Sequence, residues 1–519
     1  MSSKKKPKLI IYTTFPYWPR LETELEIADT HADKGYEVTL LSCMGGLIAC
    51  PENPKHHKLK CLSCTSRLKA GHRWLGKKRV KLKRMYNLSD KQRKIIETML
   101  LQPISCWDDL KSIKIDGDDI GDASFSELAG NLRETKPDFK KNINYAIKLL
   151  ENALIVHFSI LNCLKKERPD KFILFNGRIS SYRPALRVSV SLGINTYVLE
   201  THFTNYDRYI LTNNSYSHDP SIITKEIFTA YNHSKHTENK KHEIAFNWYN
   251  DREHGNKDKQ VVFTGKKIKG TIPNDLITEL NDSRLKIGMF ITSEFELVDE
   301  SKNPFYETQN AGIAQITEDL NNEKILFIVR AHPNLKKLNN SQIKELQDLG
   351  STKKNIIYIS PESKTNTYEL IDCCDIVLTF GSTVGIEAVH KGKPTILMGK
   401  AIYQGFGGTI EPKSHKELVK ILKESAKIGQ IPKKYMPQKK AMEHAATIYA
   451  YGILESGIKQ KYQKLKTFIY PSGIEKNNII THIKPQIIYR ITDRIYWVPW
   501  FLGRIIKRLS YELKKNHKI

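Results

Sequence analysis

Short apolar runs recur along this chain, each closed by glycine, proline or small polar residues and separated from the next by a helix-length amphipathic segment. Leu9 to Thr14 is the first, followed by a helix with Leu21, Leu25, Ala28 and Ala32 on one face, Gly35 to end it, and Val38 to Ser42 as the next strand. An apolar run without polar alternation is a strand buried on both faces. Strands of that kind joined by helices form parallel sheets, because only a helical crossover returns the chain to the same sheet edge. The unit returns at Lys171 to Phe175, Pro184 to Leu192 and Thr196 to Leu199, and again from Leu285 to Ile291, Lys324 to Val329, Asp375 to Phe380 and Thr395 to Met398. The fold class is therefore α/β, and 519 residues exceed what one core supports, since a domain holds about 100–200 residues. The polar stretch from about Asn250 to Asp282, with scattered Gly and Pro, fits a hinge. The expected organisation is an N-terminal Rossmann-like domain over 1–255, a second over 256–460, and a basic helical tail over 461–519.

The most informative loop follows the strand Ile376 to Thr379. Phe380-Gly381-Ser382-Thr383-Val384-Gly385-Ile386-Glu387-Ala388 reads as a tight turn that opens a helix. The first turn of a helix carries unpaired N–H groups and the positive end of the macrodipole, so an anion is solvated there without a lysine. Gly381 lets the backbone come close, Ser382 and Thr383 cap the helix or donate to a phosphate oxygen, and Glu387 suits a ribose diol. The competing reading is an ordinary strand-to-helix turn with a serine cap. Upstream, the strand Lys324 to Val329 runs into Arg330-Ala331-His332-Pro333-Asn334. A histidine at the carboxyl end of a parallel strand faces the crevice where open α/β sheets bind ligands, and Pro333 fixes the loop. His332 alone serves equally as a loop histidine with a structural hydrogen bond, and Arg330 either adds charge or forms a salt bridge. Ser293, in the exit Thr292-Ser293-Glu294, lines the cleft.

Arg330-Ala331-His332-Pro333, the turn from Phe380 to Ala388 and Gly392-Lys393-Pro394 together resemble the bacterial capsule and surface polysaccharide glycosyltransferases of GT-B architecture. The same pairing of His-Pro with a Ser/Thr turn occurs in bacterial sialyltransferases, Kdo transferases and the glycerophosphate polymerases of teichoic acid synthesis. The resemblance is specific over about residues 285–400. It implies two Rossmann-like domains facing a central cleft and a hexosyl-, sialyl- or Kdo-type transferase without a catalytic metal. The donor would be a nucleotide sugar, the acceptor a cell-surface polysaccharide or lipid-linked glycan. It also implies that His332, Ser382 and Thr383 bind the nucleotide phosphates and that Glu387 binds the ribose. Many retaining members carry another glutamate where this chain has Thr379, so inversion and retention both stay open.

In such an enzyme the first half holds the acceptor, and a carboxylate there is the natural general base for an inverting transfer. Glu200, at a strand end, is the leading candidate, with Asp207 and Glu24 behind it; each also reads as a surface carboxylate.

Four cysteines crowd into an insertion over residues 43–72: Cys43, Cys50, Cys61 and Cys64, with His72 just beyond. Cys61-Leu62-Ser63-Cys64 has the spacing of a metal knuckle, and two more thiols complete a tetrahedral set for structural zinc. Free buried thiols and an iron–sulfur cluster are the other readings. Cys106, Cys163, Cys373 and Cys374 read as core packing.

A net charge of +27 points to anionic partners. Basic residues gather at Lys77 to Arg84 and at the C-terminus, where Trp500, Phe501, Ile505 and Leu509 form an apolar stripe among Arg504, Lys507 and Arg508. Such a helix lies in the plane of an anionic bilayer or docks on the protein's own surface. No uninterrupted apolar run has the length of a spanning helix, which places the product in the cytoplasm, peripheral on the inner face of the plasma membrane. Two alternatives remain: a nucleotide-sugar epimerase or glycerophosphotransferase on the same fold, and a zinc-bearing basic nucleic-acid-binding protein. Nucleic acid is disfavoured because the phosphate motifs and the basic run fall in different halves.

Overall fold

The computed structural model describes residues 6–14, 16, 19–76, 79–202, 207–216, 219–254, 272–281, 283–296 and 303–462. The expected hinge falls mostly outside the described residues. So do Lys77, Lys78 and the tail with its Trp500 to Leu509 stripe.

The strands are β1 (Lys8–Thr13), β2 (Glu37–Ser42), β3 (Val80–Arg84), β4 (Lys171–Phe175), β5 (Asn195–Thr201), β6 (Arg208–Asn213), β7 (Leu285–Phe290), β8 (Ile325–Arg330), β9 (Ile356–Ile359), β10 (Ile376–Thr379), β11 (Thr395–Leu397) and β12 (Ile458–Lys459). They form two sheets, ordered β12-β6-β5-β4-β1-β2-β3 and β11-β10-β7-β8-β9. From β1 to β5 every pairing is parallel, β6 runs antiparallel to β5, and β12 antiparallel to β6. The second sheet is parallel throughout. In each sheet the chain steps outward over three strands and then returns to the far side of the first. This doubly wound order creates a switch point between β1 and β4, and another between β7 and β10. The GT-B expectation is met by both orders. Every residue of β8 and β10 is buried, as continuous apolar strands require.

The boundary expected at residue 255 is corrected. Helices Pro220–Asn232 and Glu238–His254, assigned to the first half, pack on helix Lys439–Glu455. Ile227, Trp248 and Tyr249 share one apolar cluster with Ile386, Tyr403 and Tyr449 of the second half. Apolar faces on both helices draw them across. Conversely, β12 joins the first sheet, where Gln460 Nε2 donates to Thr23 Oγ1 at 2.8 Å and the Lys461 amide to Glu26 Oε2 at 2.6 Å.

Between β3 and β4 a helical insertion has its own core of Leu110, Phe125, Leu149 and Leu150. Its helix Phe139–Glu167 is long and apolar enough to cross a membrane, yet 67% of that apolar window is buried inside the protein.

Candidate active site

Register brings the second half's motif residues to one edge. Phe290, the last residue of β7, pairs with Arg330 on one side and Thr379 on the other. Neighbouring strands lie about 4.8 Å apart, so the exits of β8 and β10 flank that of β7 roughly 10 Å from each other. His332, Ser293 and Ser382-Thr383 follow those three exits, at the switch point where open parallel sheets bind ligands.

Ser293 is 2% exposed, and its hydroxyl has no hydrogen-bond partner among the described residues. Its donor is therefore unspent, as are those of the buried Ser63 and Ser159 elsewhere in the fold. Next to it Glu294 accepts the Gln309 amide at 2.5 Å, and burial pushes its pKa up to about 7.

His332 is half-buried. Its Nδ1 accepts the Asn334 amide at 3.1 Å, which assigns the ring proton to Nε2. Burial, and then the charge of Arg330, lower its pKa to about 4, so at neutral pH the ring is an uncharged N–H donor. Arg330 is 5% exposed and its guanidinium donates to the carbonyls of Ser360 and Ser363. Of its two expected uses the structural one is observed, although its partners are carbonyls rather than a carboxylate.

The turn after β10 differs from its expected form. The amides of Gly381 and Ser382 donate to Thr379 Oγ1 at 3.3 and 2.9 Å, and Val384 N donates to Ser382 Oγ at 3.4 Å. Tyr403 OH donates to Ser382 O at 2.7 Å. Several donors expected to face an anion are thus satisfied within the turn, while the side chain of Thr383 makes no capping bond. Gly381 adopts φ +135°, and a Cβ there would lie 2.5 Å from the Lys400 carbonyl oxygen, so the glycine is demanded by its neighbouring loop. Glu387 is 3% exposed and its Oε1 accepts from Arg252 Nη2 at 2.6 Å and Nε at 3.1 Å. A ribose contact would have to share that carboxylate with Arg252, a partner that nothing in the local sequence announces.

In the first half, Glu200 is the penultimate residue of β5 and is 8% exposed. Its Oε2 accepts from Asn176 Nδ2 at 3.1 Å and its Oε1 from Thr201 N at 2.9 Å. Asp207 precedes β6 on the same edge, its carbonyl accepting from Gln460 N. Glu24 accepts from Thr13 Oγ1 at 2.5 Å, is 1% exposed, and is raised by burial to about pH 7. Glu127, which the sequence did not single out, accepts from Ser180 Oγ at 2.5 Å and is likewise raised to about 7 by burial. Both reach their hydroxyl partners through the fold, Glu127 over 53 positions of sequence.

Cys43, Cys50, Cys61 and Cys64 line one small cavity of about 30 Å³ beside Asn53, His56 and Lys60. All four are free thiols, and burial raises the pKa of each. Among the described residues no three His, Cys, Asp or Glu side chains are drawn together as a ready metal site. His72 points elsewhere, its Nε2 2.6 Å from the Val80 carbonyl oxygen.

Two doubly wound sheets, the second parallel throughout and the first parallel but for β6 and β12, are the arrangement of the GT-B fold class. Residues 301–475 match the family described as capsule polysaccharide biosynthesis protein. No curated protein matches the sequence. Among solved structures, the chain is similar to the beta Kdo 2,7 transferase of Thermosulfurimonas dismutans KpsC at 14% identity, over 56% of this chain and 79% of that one, with a TM-score of 0.34. It is also similar to the UDP-GlcNAc 2-epimerase of Methanocaldococcus jannaschii, at 14% identity over 86% and 99% of the two chains, with a TM-score of 0.26. The glycosyltransferase SnogD of Streptomyces nogalater gives 10% identity over 89% and 100%, and 0.24. At these values the fold assignment stands on this chain's own strand pairing.

Proposed function

We propose that this chain is a glycosyltransferase of capsule or surface polysaccharide assembly, working on the cytoplasmic side, where activated sugars are made. The second half binds a nucleotide sugar and the first half binds the glycan acceptor. The observation that carries this reading is the level alignment of three strand exits, which sets His332, Ser293 and Ser382-Thr383 along one switch-point edge. The match over residues 301–475 covers these exits except Ser293 and supports the same reading.

Charge develops on the donor phosphate as the glycosidic bond to it breaks. A neutral Nε2–H of His332 and the hydroxyls of Ser293 and Thr383 are dipoles fixed before reaction, so they stabilise that charge without reorganising. Within the first half a carboxylate accepts the acceptor's proton. Glu200 is held in orientation by Asn176 and Thr201, whereas Glu24, which burial raises to about 7, lies under the Thr13 hydroxyl.

The test is a thermal-shift screen of the full chain with CMP, CDP, UDP and GDP. A ligand at 100 times its Kd adds about 2.7 kcal/mol, a shift of several degrees. One nucleotide should stabilise the wild type and lose its effect in His332→Ala. No response to any of them refutes the donor site. With the matching sugar nucleotide, product that forms without an acceptor would identify an epimerase instead.

A further inference from the structure

We propose that Lys400, on the loop that follows β11, is the cation that meets the donor phosphate, a role that presupposes a nucleotide-sugar site on the second half. A phosphate brings full negative charge, and the groups gathered at this edge do not balance it. His332 is uncharged at neutral pH, Ser293 and Thr383 offer only hydroxyls, and the guanidinium of Arg330 is turned to the carbonyls of Ser360 and Ser363. The turn after β10 also gives an anion less than a free helix start would, because the amides of Gly381 and Ser382 both donate to Thr379 Oγ1.

Strand register carries Lys400 to the same place. Thr379 of β10 pairs with Phe290 of β7 on one side and with Leu397 of β11 on the other. Ser293, Ser382 and Lys400 each follow that level by three residues, at the exits of neighbouring strands about 4.8 Å apart.

Beyond the strands, the loop stays pressed against the turn. Met398 N donates to Thr379 O at 2.9 Å, and Tyr403 OH to Ser382 O at 2.7 Å. Between these two bonds the backbones approach so closely that a Cβ on Gly399 would lie 2.2 Å from Phe380 O, and one on Gly381 2.5 Å from Lys400 O. Asn303 Nδ2 holds the loop from outside, donating to Met398 O at 2.7 Å. The backbone is thus fixed on both sides of Lys400. Its side chain is exposed, and no carboxylate pairs with it among the described residues. A tethered backbone with a flexible four-carbon stem lets the ammonium reach an anion at the turn, and the contact it forms there is charge-assisted on both sides.

The test measures the affinity of the full chain for CMP, CDP, UDP and GDP by titration calorimetry, beside cytidine, uridine and guanosine. In Lys400→Ala the nucleotide that the wild type binds should bind about 10- to 100-fold more weakly, the usual weight of a hydrogen bond to a charged group, while the melting temperature without ligand stays the same. Lys400→Arg should keep most of the affinity, since the charge is retained. Lys427→Ala, which removes an exposed lysine of helix His415–Ile428, should keep all of it. The matching nucleoside, which has no phosphate, should bind the wild type and Lys400→Ala alike. Added salt should weaken nucleotide binding more in the wild type than in Lys400→Ala. Wild-type affinity in Lys400→Ala, or an equal loss for nucleoside and nucleotide, would overturn the role of Lys400 and leave the donor site standing. A wild type that binds none of the four nucleotides would overturn the donor site and this role together.

Discussion

Removing Arg252 should destabilise the second half more than any ordinary surface change, because it strands a carboxylate. The Arg252 and Glu387 side chains are 11% and 4% exposed, with Nη2 to Oε1 at 2.6 Å, and the guanidinium lies 4.7 Å from the centre of the Trp248 ring. Breaking one partner of a buried pair costs about 3–5 kcal/mol, since the remaining charge is left in a poor solvent. At about 2–4 °C per kcal/mol for a unit of 150–250 residues, Arg252→Ala should lower the melting temperature by roughly 6–20 °C. Replacing both partners by apolar residues, Arg252→Met with Glu387→Leu, should recover most of the loss, because no charge is then buried. Calorimetric and urea unfolding of the two singles and the double give a coupling energy, expected above about 2 kcal/mol. A loss below about 1 kcal/mol in Arg252→Ala, or simple additivity, would refute the account. The cycle also separates the two uses of Glu387. If it only anchors, Glu387→Gln keeps the nucleotide-induced shift on a less stable protein; if it also holds ribose, that shift disappears.

His332→Ala should lower turnover about 10²–10³-fold, the usual cost of one preorganised donor, with the melting temperature nearly unchanged; steady-state kinetics with unaltered kcat would remove the residue from the mechanism. Gly381→Ala should cost about 1–3 kcal/mol from its φ of +135° and the Lys400 carbonyl 2.5 Å from the new Cβ, read as a drop in melting temperature. For Glu24 the folded pKa of about 7 lies above the ordinary carboxylate value of 4.5, so the native state holds more protons between those values. Its contribution to stability therefore falls as pH rises from about 4.5 to 7. Glu24→Gln should flatten the wild-type decline in that window, measured by urea midpoints across pH.

Strand and helix alternation was legible because buried parallel strands are continuous apolar runs, and β8 and β10 need no context to be recognised. Their order was not, since pairing is a long-range fact; still, the turns at His332 and Ser382 were expected on one edge of the sheet, and the register places both there. What sequence could not show is how local donors are spent. Thr379 was noted only as the place of a missing glutamate, yet its hydroxyl takes the amides of Gly381 and Ser382. Arg330 reads as a cation beside a phosphate site, and two of its nitrogens donate to carbonyls 30 and 33 positions away while its buried Nε has no partner among the described residues. The boundary near residue 255 was misplaced for a related reason. Composition marks where the chain is polar, whereas the apolar faces of helices Pro220–Asn232 and Glu238–His254 choose their partner by packing.

The contacts that join the halves are of two physical kinds, and the difference bears on function. At the crossing, Ile227, Trp248, Tyr249 and Tyr449 are buried in one apolar cluster, so separation there would expose a core. Where the segment after helix Ile120–Leu132 meets helix Ser341–Thr352, the joints are polar and partly exposed. Asn340 Nδ2 donates to Arg133 O at 2.9 Å, Ser341 N to Glu134 Oε2 at 2.8 Å, and Lys136 pairs with Glu345 at 2.7 Å with exposures of 55% and 37%. Arg178 adds a bond to the Glu296 carbonyl. Exposed pairs of this sort contribute about 0–1 kcal/mol each, and water replaces them readily. Separation at the apolar crossing therefore costs more than separation at the polar contacts. For the proposed transferase, which would admit a donor and an acceptor, exclude water and release both products, that asymmetry supplies a side at which to do so.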